Sequence, residues 1–379
     1  MLVGVRASLP MPLHSFSMSE GPARIYPGTD ELLSAEIKHC PEDFAVTESL
    51  PFQPSGSGSH HWLVIEKQGL NTQEVAQRLA RVAGVAVRDV GFAGMKDRYA
   101  VTRQSFSVPS HPDREPNWQS LEDQNLRILE ITRHDRKLRR GVLRGNHFRL
   151  FLRQCQGEQR LWQTRLQSIG EQGFPNYFGA QRFGQRNLQE AARLLFGESR
   201  RIDRHRRGLL WSAARSALFN QVLAARVQQD CWHHILPGEV IQLAGSHSIF
   251  RAESEELGAL QQRATDWDIH PTGPLPGRGG LLPDAAAGLL ERAALAAFVL
   301  NPEIPSDGLL WARQLAAQGL DAARRTLRAR PEDLHYEWSD QHTLMLEFFL
   351  PAGVFATSFV EALLGQESAA AHRLDLCVD

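Results

Sequence analysis

The sequence is short of cysteine, lysine, net charge and long apolar runs, and each shortage closes off a class of protein. Four cysteines in 379 residues, at positions 40, 155, 231 and 377, lie far apart and form no C-x-x-C pair. That spacing argues against a zinc site or a disulfide framework and fits a reducing, cytoplasmic setting. No uninterrupted apolar run is long enough to cross a bilayer, so no membrane association is expected. Residues 1–17 hold one arginine and no compact signal-peptide core. Met18, followed by Ser-Glu-Gly-Pro, offers an alternative start, and residues 1–34 read as a partly disordered leader. Phosphate-binding P-loop, dinucleotide fingerprint and nucleophile elbow are all missing, which speaks against nucleotide-driven or hydride-transfer chemistry. The pairs His60-His61 and His233-His234 lack companion ligands at metal spacing and read as structural. Neither metal nor cofactor is expected.

What is present is ordinary in bulk and uneven in detail. An apolar share of 42% and a charged share of 22% suit a globular chain of two domains, or one domain with an insertion. The formal net charge of −1 carries no global sign of a nucleic-acid partner. Of 42 basic residues only four are lysines (38, 67, 96 and 137), leaving 38 arginines. Arginine forks phosphates and stacks on bases, although GC-rich codon usage produces the same bias. Two dense runs, 133–140 and 200–207, are either phosphate-contacting strips or solvated, salt-bridged faces.

Periodicity places the elements. Residues 43–50 and 60–66 alternate as strands around a Pro-Ser-Gly-Ser-Gly-Ser loop at 54–59. Asn71 with Glu74 forms a capping box, Val75, Leu79 and Val82 a helical stripe, and Gly84 a stop. A short strand end at 90–93, a turn at Gly94 and a strand at 100–108 follow. Phe148, Leu150 and Leu152 alternate with Arg149 and Arg153 as a strand with one buried face, and Leu161, Leu166 and Ile169 suggest the next helix. From 172 to 330 the chain is expected to be mostly helical, with helices at 187–195 and 209–228 and Pro/Gly-rich connectors at 271–283. Alternation returns at Leu344–Leu350, and Ser358 with Glu361 is expected to cap a short helix ending at Gly365. A lone strand and helix cannot form a core, so they complete the sheet begun before residue 170 and make 172–330 an insertion.

Three segments could carry chemistry. In Gly94-Met95-Lys96-Asp97-Arg98-Tyr99-Ala100 the flanking cations favour an ionised carboxylate, which on a turn can act as nucleophile or base; a surface charge cluster gives the same pattern. In Gly145-Asn146-His147-Phe148 the amide could bond a carboxylate or a base edge and the ring could stack on an extruded base, or Gly-Asn is a tight turn and Phe148 is core. The segment Asn176–Gly184 interleaves aromatics with Gln, Arg and Gly, as contact with unpaired nucleotides or a packed aromatic loop would.

Taken together, the segments resemble the TruD family of tRNA pseudouridine synthases. The resemblance rests on Ala93-Gly94-Met95-Lys96-Asp97 with Ala100-Val101-Thr102, and on the block from His134 through Lys137-Leu138-Arg139 to Gly145-Asn146-x-Phe148. Pro41-Glu42-Asp43-Phe44, Pro175–Gly184, Ser212–Asn220 and Leu350-Pro351-Ala352-Gly353-x-Phe355-Ala356-Thr357-Ser358 extend it, in family order, from about residue 35 to 365. It implies an α+β catalytic domain with a mixed, largely antiparallel sheet flanked by helices, built from 35–171 and 331–379, with an α-rich insertion domain at 172–330. It further implies isomerisation of a tRNA uridine, position 13 of the D-arm, through the ribose of a flipped nucleotide. Asp97 is the expected catalytic carboxylate, attacking C1′ or removing the 2′ proton. Lys96 would sit electrostatically near it, Asn146 would hold Asp97 or the nucleotide, Phe148 would stack on the base, and Phe44 and Phe355 would bound the pocket. The expected partner is tRNA; a cytoplasmic monomer with no obligatory protein partner is anticipated.

Overall fold

The computed structural model describes residues 22, 24–29, 33–111, 115–184, 186–197, 201–300 and 307–365. Most of the expected leader, residues 1–21, lies outside the described residues. In chain order, β1 (Ser34–Ile37) leads through one 3-10 turn (Pro41–Asp43) into β2 (Phe44–Ser49) and β3 (His60–Lys67). α1 (Thr72–Ala83) begins on the capping box, where the Asn71 N–H donates to Glu74 at 2.6 Å. It stops at Gly84, whose left-handed φ of 69° suits a residue without Cβ. β4 (Gly91–Phe92), β5 (Val101–Pro109), β6 (Leu126–His134), β7 (Gly145–Gln156) and α2 (Gln159–Gln172) follow.

The middle of the chain holds β8 (Phe174–Pro175), α3 (Asn187–Phe196), α4 (Arg204–Gln228), β9 (Val240–Leu243), β10 (Ile249–Arg251) and α5 (Leu257–Thr265). It continues with β11 (Ile269–Leu275), α6 (Ala285–Ala296), α7 (Gly308–Ala317), β12 (Ala323–Thr326) and β13 (Arg328–Ala329). The chain closes with β14 (Glu332–Trp338), β15 (Leu344–Pro351) and α8 (Ala356–Leu364).

Two compact units result. One contains the described residues within Gly28–Glu171 and Arg330–Asp379, the other those within Met1–Pro27 and Gln172–Ala329. The first is built on a nine-stranded sheet in the order β14-β15-β7-β2-β5-β3-β6, with β1 also on β7 and β4 also on β5. Only the β2–β5 ladder is parallel, so the fold is α+β with a mixed, largely antiparallel sheet, as expected. β7 is the organiser: β15 pairs along Gly145–Leu152 on one side, and β1 and β2 pair on the other. Phe148, Leu150 and Leu152 are buried while His147 and Arg149 are exposed, the period of two that a half-buried strand requires. Val75, Ala76 and Leu79 of α1 pack on Leu63, Ile65, Phe106 and Val108, and hold that helix over β3 and β5.

The second unit departs from the helical expectation. Beside its five helices it carries a four-stranded antiparallel sheet, β10-β9-β11-β12, and Pro271 and Pro274, read as connector residues, lie inside β11. β11 pairs first with β9 and then with β12, and at Pro271 it is the carbonyl, accepting from the Leu327 N–H at 2.9 Å, that makes the bond a missing N–H cannot. The last helix also starts earlier than Ser358. Phe355 is its N-cap and its carbonyl accepts from the Ser358 N–H at 3.1 Å, so Ser358 and Glu361 lie within the helix.

Candidate active site

Asp97 lies on the turn between β4 and β5, and burial separates the three charges of that turn. Asp97 is 1% and Lys96 3% exposed, whereas Arg98 faces outward and donates Nε to the Gly69 carbonyl at 3.0 Å. A carboxylate removed from water needs partners. Its Oδ1 accepts from the Tyr99 N–H at 2.9 Å, and Oδ2 meets the Lys38 ammonium in an ion pair. The Asp97 backbone carbonyl accepts from the buried Lys67 Nζ at 2.8 Å. The loop itself is pinned. The Lys96 N–H donates to Thr72 Oγ1, which donates to Gln104 Oε1, both at 2.9 Å, and Gln104 Nε2 donates to the Gly94 carbonyl at 3.3 Å.

Lys38 reaches Asp97 from an unusual backbone. Its φ of 58° lies in the left-handed region that a side chain with a Cβ rarely adopts. Its ammonium also sits 4.6 Å from the Phe44 ring centroid. Between these residues, the Pro41–Asp43 turn is clamped by Arg153, which donates Nε and Nη2 to the two Asp43 oxygens at 2.8 and 2.7 Å. The Pro-Glu-Asp-Phe motif thus fixes a lysine and an aromatic on either side of one turn.

Lys96 turns away from Asp97. Its Nζ donates to Asn146 Oδ1 at 2.9 Å and lies 3.3 Å from Glu48 Oε1. The expectation placed Lys96 beside Asp97; the geometry brings Lys96, Asn146 and Glu48 together and gives the carboxylate to Lys38. Because an ammonium can only donate, Asn146 must offer it Oδ1, which turns the amide NH₂ elsewhere. Burial pushes Lys96 down and Glu48 up, each toward its neutral form, and their mutual attraction opposes both shifts.

Burial likewise pushes Lys67 down to about 8, against the attraction of Asp97. Between that value and the ordinary 10.5, the unfolded chain holds this proton more tightly than the folded chain. Stability attributable to Lys67 therefore rises with pH across that window. Lys67→Met is expected to remove the rise, worth up to roughly 3 kcal/mol for a shift of this size. Urea midpoints of both proteins across the window check it; identical pH slopes would return Lys67 to an ordinary lysine.

Phe44 and Phe148 belong to one aromatic cluster. Phe44, wholly buried, meets Phe148 edge-on at 6.1 Å, and Phe148 stacks on Phe348 at 5.3 Å. Phe348 contacts Phe359 of α8 at 4.4 Å, one helical turn beyond the N-cap Phe355. Phe148, 4% exposed, is thus held between Phe44 at its edge and Phe348 on one face. Elsewhere, Arg133 pairs with Glu115 at 3.1 Å. The 204–207 part of the second basic run forms the first turn of α4, where Arg206 pairs with Glu190 at 2.7 Å. Among the described residues, no group of three or more His, Cys, Asp or Glu is arranged to hold a metal, and no helix is long and apolar enough to cross a membrane.

Sequence reasoning missed Lys38, Lys67 and Glu48, yet one signal pointed at the lysines. Three of the chain's four lysines converge on a single aspartate turn. Where arginine replaces lysine almost everywhere, the lysines that remain mark places needing a compact point charge rather than a planar fork.

The fold is α+β, and one of its turns holds a buried carboxylate paired with a lysine. The chain matches the family model of tRNA pseudouridine synthase D (TruD) over residues 23–198 and 197–362. A relative named tRNA pseudouridine synthase D from Methylococcus capsulatus is 43% identical over 348 residues, covering 89% of this chain and 95% of that protein. One of the same name from Xanthomonas oryzae is 44% identical over 343 residues, covering 86% and 90%. A crystal structure from Methanosarcina mazei, described by the same family name, superposes with a TM-score of 0.68 at 17% identity over 90% of this chain and 95% of that one, a likeness of fold. The chain belongs to the TruD family of tRNA pseudouridine synthases.

Proposed function

We propose that this chain converts one tRNA uridine, position 13 of the D-arm, to pseudouridine, with Asp97 acting on the ribose of a flipped-out nucleotide. The observation that carries the reading is the convergence on Asp97. One lysine meets its carboxylate, another meets its backbone carbonyl, and a third, its chain neighbour Lys96, holds Asn146 by its amide oxygen. In the reaction the N1–C1′ bond breaks and a C5–C1′ bond forms, N1 gains a proton and C5 loses one, so nothing is consumed. Asp97 begins from its ionised form, attacking C1′ or removing the 2′ proton, and Lys38 stabilises that form. The freed uracil must turn before it rejoins, which favours a closed aromatic slot over a water-filled one. Phe44, Phe148 and Phe355 supply that slot, and the Asn146 amide, its oxygen engaged by Lys96, presents N–H donors to the nucleotide. The reading needs no protein partner and suits a cytoplasmic monomer.

Product analysis of one treated tRNA tests it. A mass-silent isomer at position 13 is the expected result. A gain in mass would mean methylation, a lost base hydrolysis, and unchanged RNA binding alone; each sinks the proposal. For Phe148, loss of base stacking should raise KM in both the Ala and the Leu variant, by roughly 5–150-fold for about 1–3 kcal/mol. Phe148→Leu retains most of the core volume, so wild-type kinetics in that variant would make Phe148 a packing residue only.

A further inference from the structure

A cavity of about 600 Å³ lies beside α1 and is lined by Arg88, Lys137, Arg139, Arg140, Gln73 and Gln77. Four cations and no carboxylate line it, in a chain whose formal net charge is −1. Its size is within the range of roughly 300–1,000 Å³ usual for small-ligand pockets. The floor is apolar, formed in part by Phe92 and by Val87, which is 48% exposed. The Arg140 guanidinium lies 4.8 Å from the Phe92 ring centroid, so its outer face is held ready as a stacking plate. Gln73 and Gln77, one turn apart on α1, add amides able to donate to and accept from a base edge.

The cavity is built rather than draped. Lys137 Nζ donates to the Arg88 carbonyl at 2.5 Å, the Leu138 N–H to Ser107 Oγ at 2.7 Å, and the Gly141 N–H to the Ala93 carbonyl at 2.8 Å. A Cβ on Gly91 would meet the Leu138 carbonyl oxygen at 2.3 Å, so the 137–141 loop is seated directly on β4. That seating fixes the cavity relative to Asp97, which follows β4 on the same short turn. α1 ties the two together as well: Thr72 holds the Lys96 N–H, and its neighbour Gln73 lines the cavity.

Resting on the function proposed above, we infer that this cavity is a second nucleotide subsite. It takes an unpaired nucleotide of the substrate tRNA other than the target uridine, its phosphate on Arg88 and Arg139 and its base laid on Arg140. Charge and stacking separate in the test, which uses the full chain and a tRNA transcript across a salt series. The double variant Arg88→Ala, Arg139→Ala should lower the slope of log affinity against log salt by about 2 and raise KM, with kcat at saturating tRNA unchanged. Arg140→Lys keeps the charge and should keep the slope, yet bind roughly 5-fold or more weakly through loss of the planar contact. A double variant with wild-type slope and KM overturns the subsite. Arg140→Lys with wild-type affinity overturns the stacked base. Wild-type protein that shows this binding signature but makes no pseudouridine overturns the function and leaves the subsite standing.

Discussion

Asp97→Asn is expected to lower pseudouridine formation by about 10⁴-fold or more, the scale seen when a principal catalytic group is removed. Asparagine matches aspartate in shape, and its oxygen can still accept from the Tyr99 N–H. At the Oδ2 position it places a donor against the Lys38 ammonium, itself only a donor, so the ion pair is lost. The group proposed to attack C1′ or take the 2′ proton is then missing. tRNA affinity should fall by no more than a few-fold, since phosphate contacts dominate nucleic-acid binding. Single-turnover assays with filter binding separate the two quantities. Near-normal turnover in a folded Asp97→Asn protein would remove Asp97 from the chemistry.

Lys38→Met is the second large effect. It leaves a buried carboxylate with a backbone N–H as its remaining partner, and breaking a buried pair from one side costs about 3–5 kcal/mol. Separately from that loss of stability, kcat is expected to fall by roughly 10²–10³-fold, the scale seen when one preorganised charge-stabilising donor is removed from an active site. Lys38→Arg keeps the positive charge and should recover part of the activity that Lys38→Met loses. An equal loss in both variants would instead mean that Lys38 only shapes the loop. Lys67→Met serves as the contrast, because that lysine touches the backbone carbonyl of Asp97 and leaves the carboxylate paired.

Much of the frame is local and therefore readable from sequence. The capping box at Asn71 and Glu74, the stop at Gly84 and the alternation of Phe148, Leu150 and Leu152 each depend on neighbours within a turn or a strand. The last helix failed by the same measure. Ser358 looks like a cap, but a cap needs an extended backbone, and that conformation belongs to Phe355. In β11 two prolines masked a strand, because sequence does not reveal which flank of a strand is paired.

Asp97 could be singled out from the sequence alone, through its glycine-bearing turn and the ordered motifs around it. What that aspartate touches was decided only by the tertiary structure. Lys96 is its chain neighbour and points elsewhere, as adjacent residues on a turning backbone commonly do. Lys38 and Lys67 lie 59 and 30 residues away and arrive because β1, β3 and β5 are set in register across one sheet. Lys38 further needs a left-handed backbone at a residue that gives no hint of one. Composition and periodicity record how each segment is buried; they carry no record of strand register, and it is register that brings two distant lysines to one aspartate, one at its carboxylate and one at its backbone carbonyl.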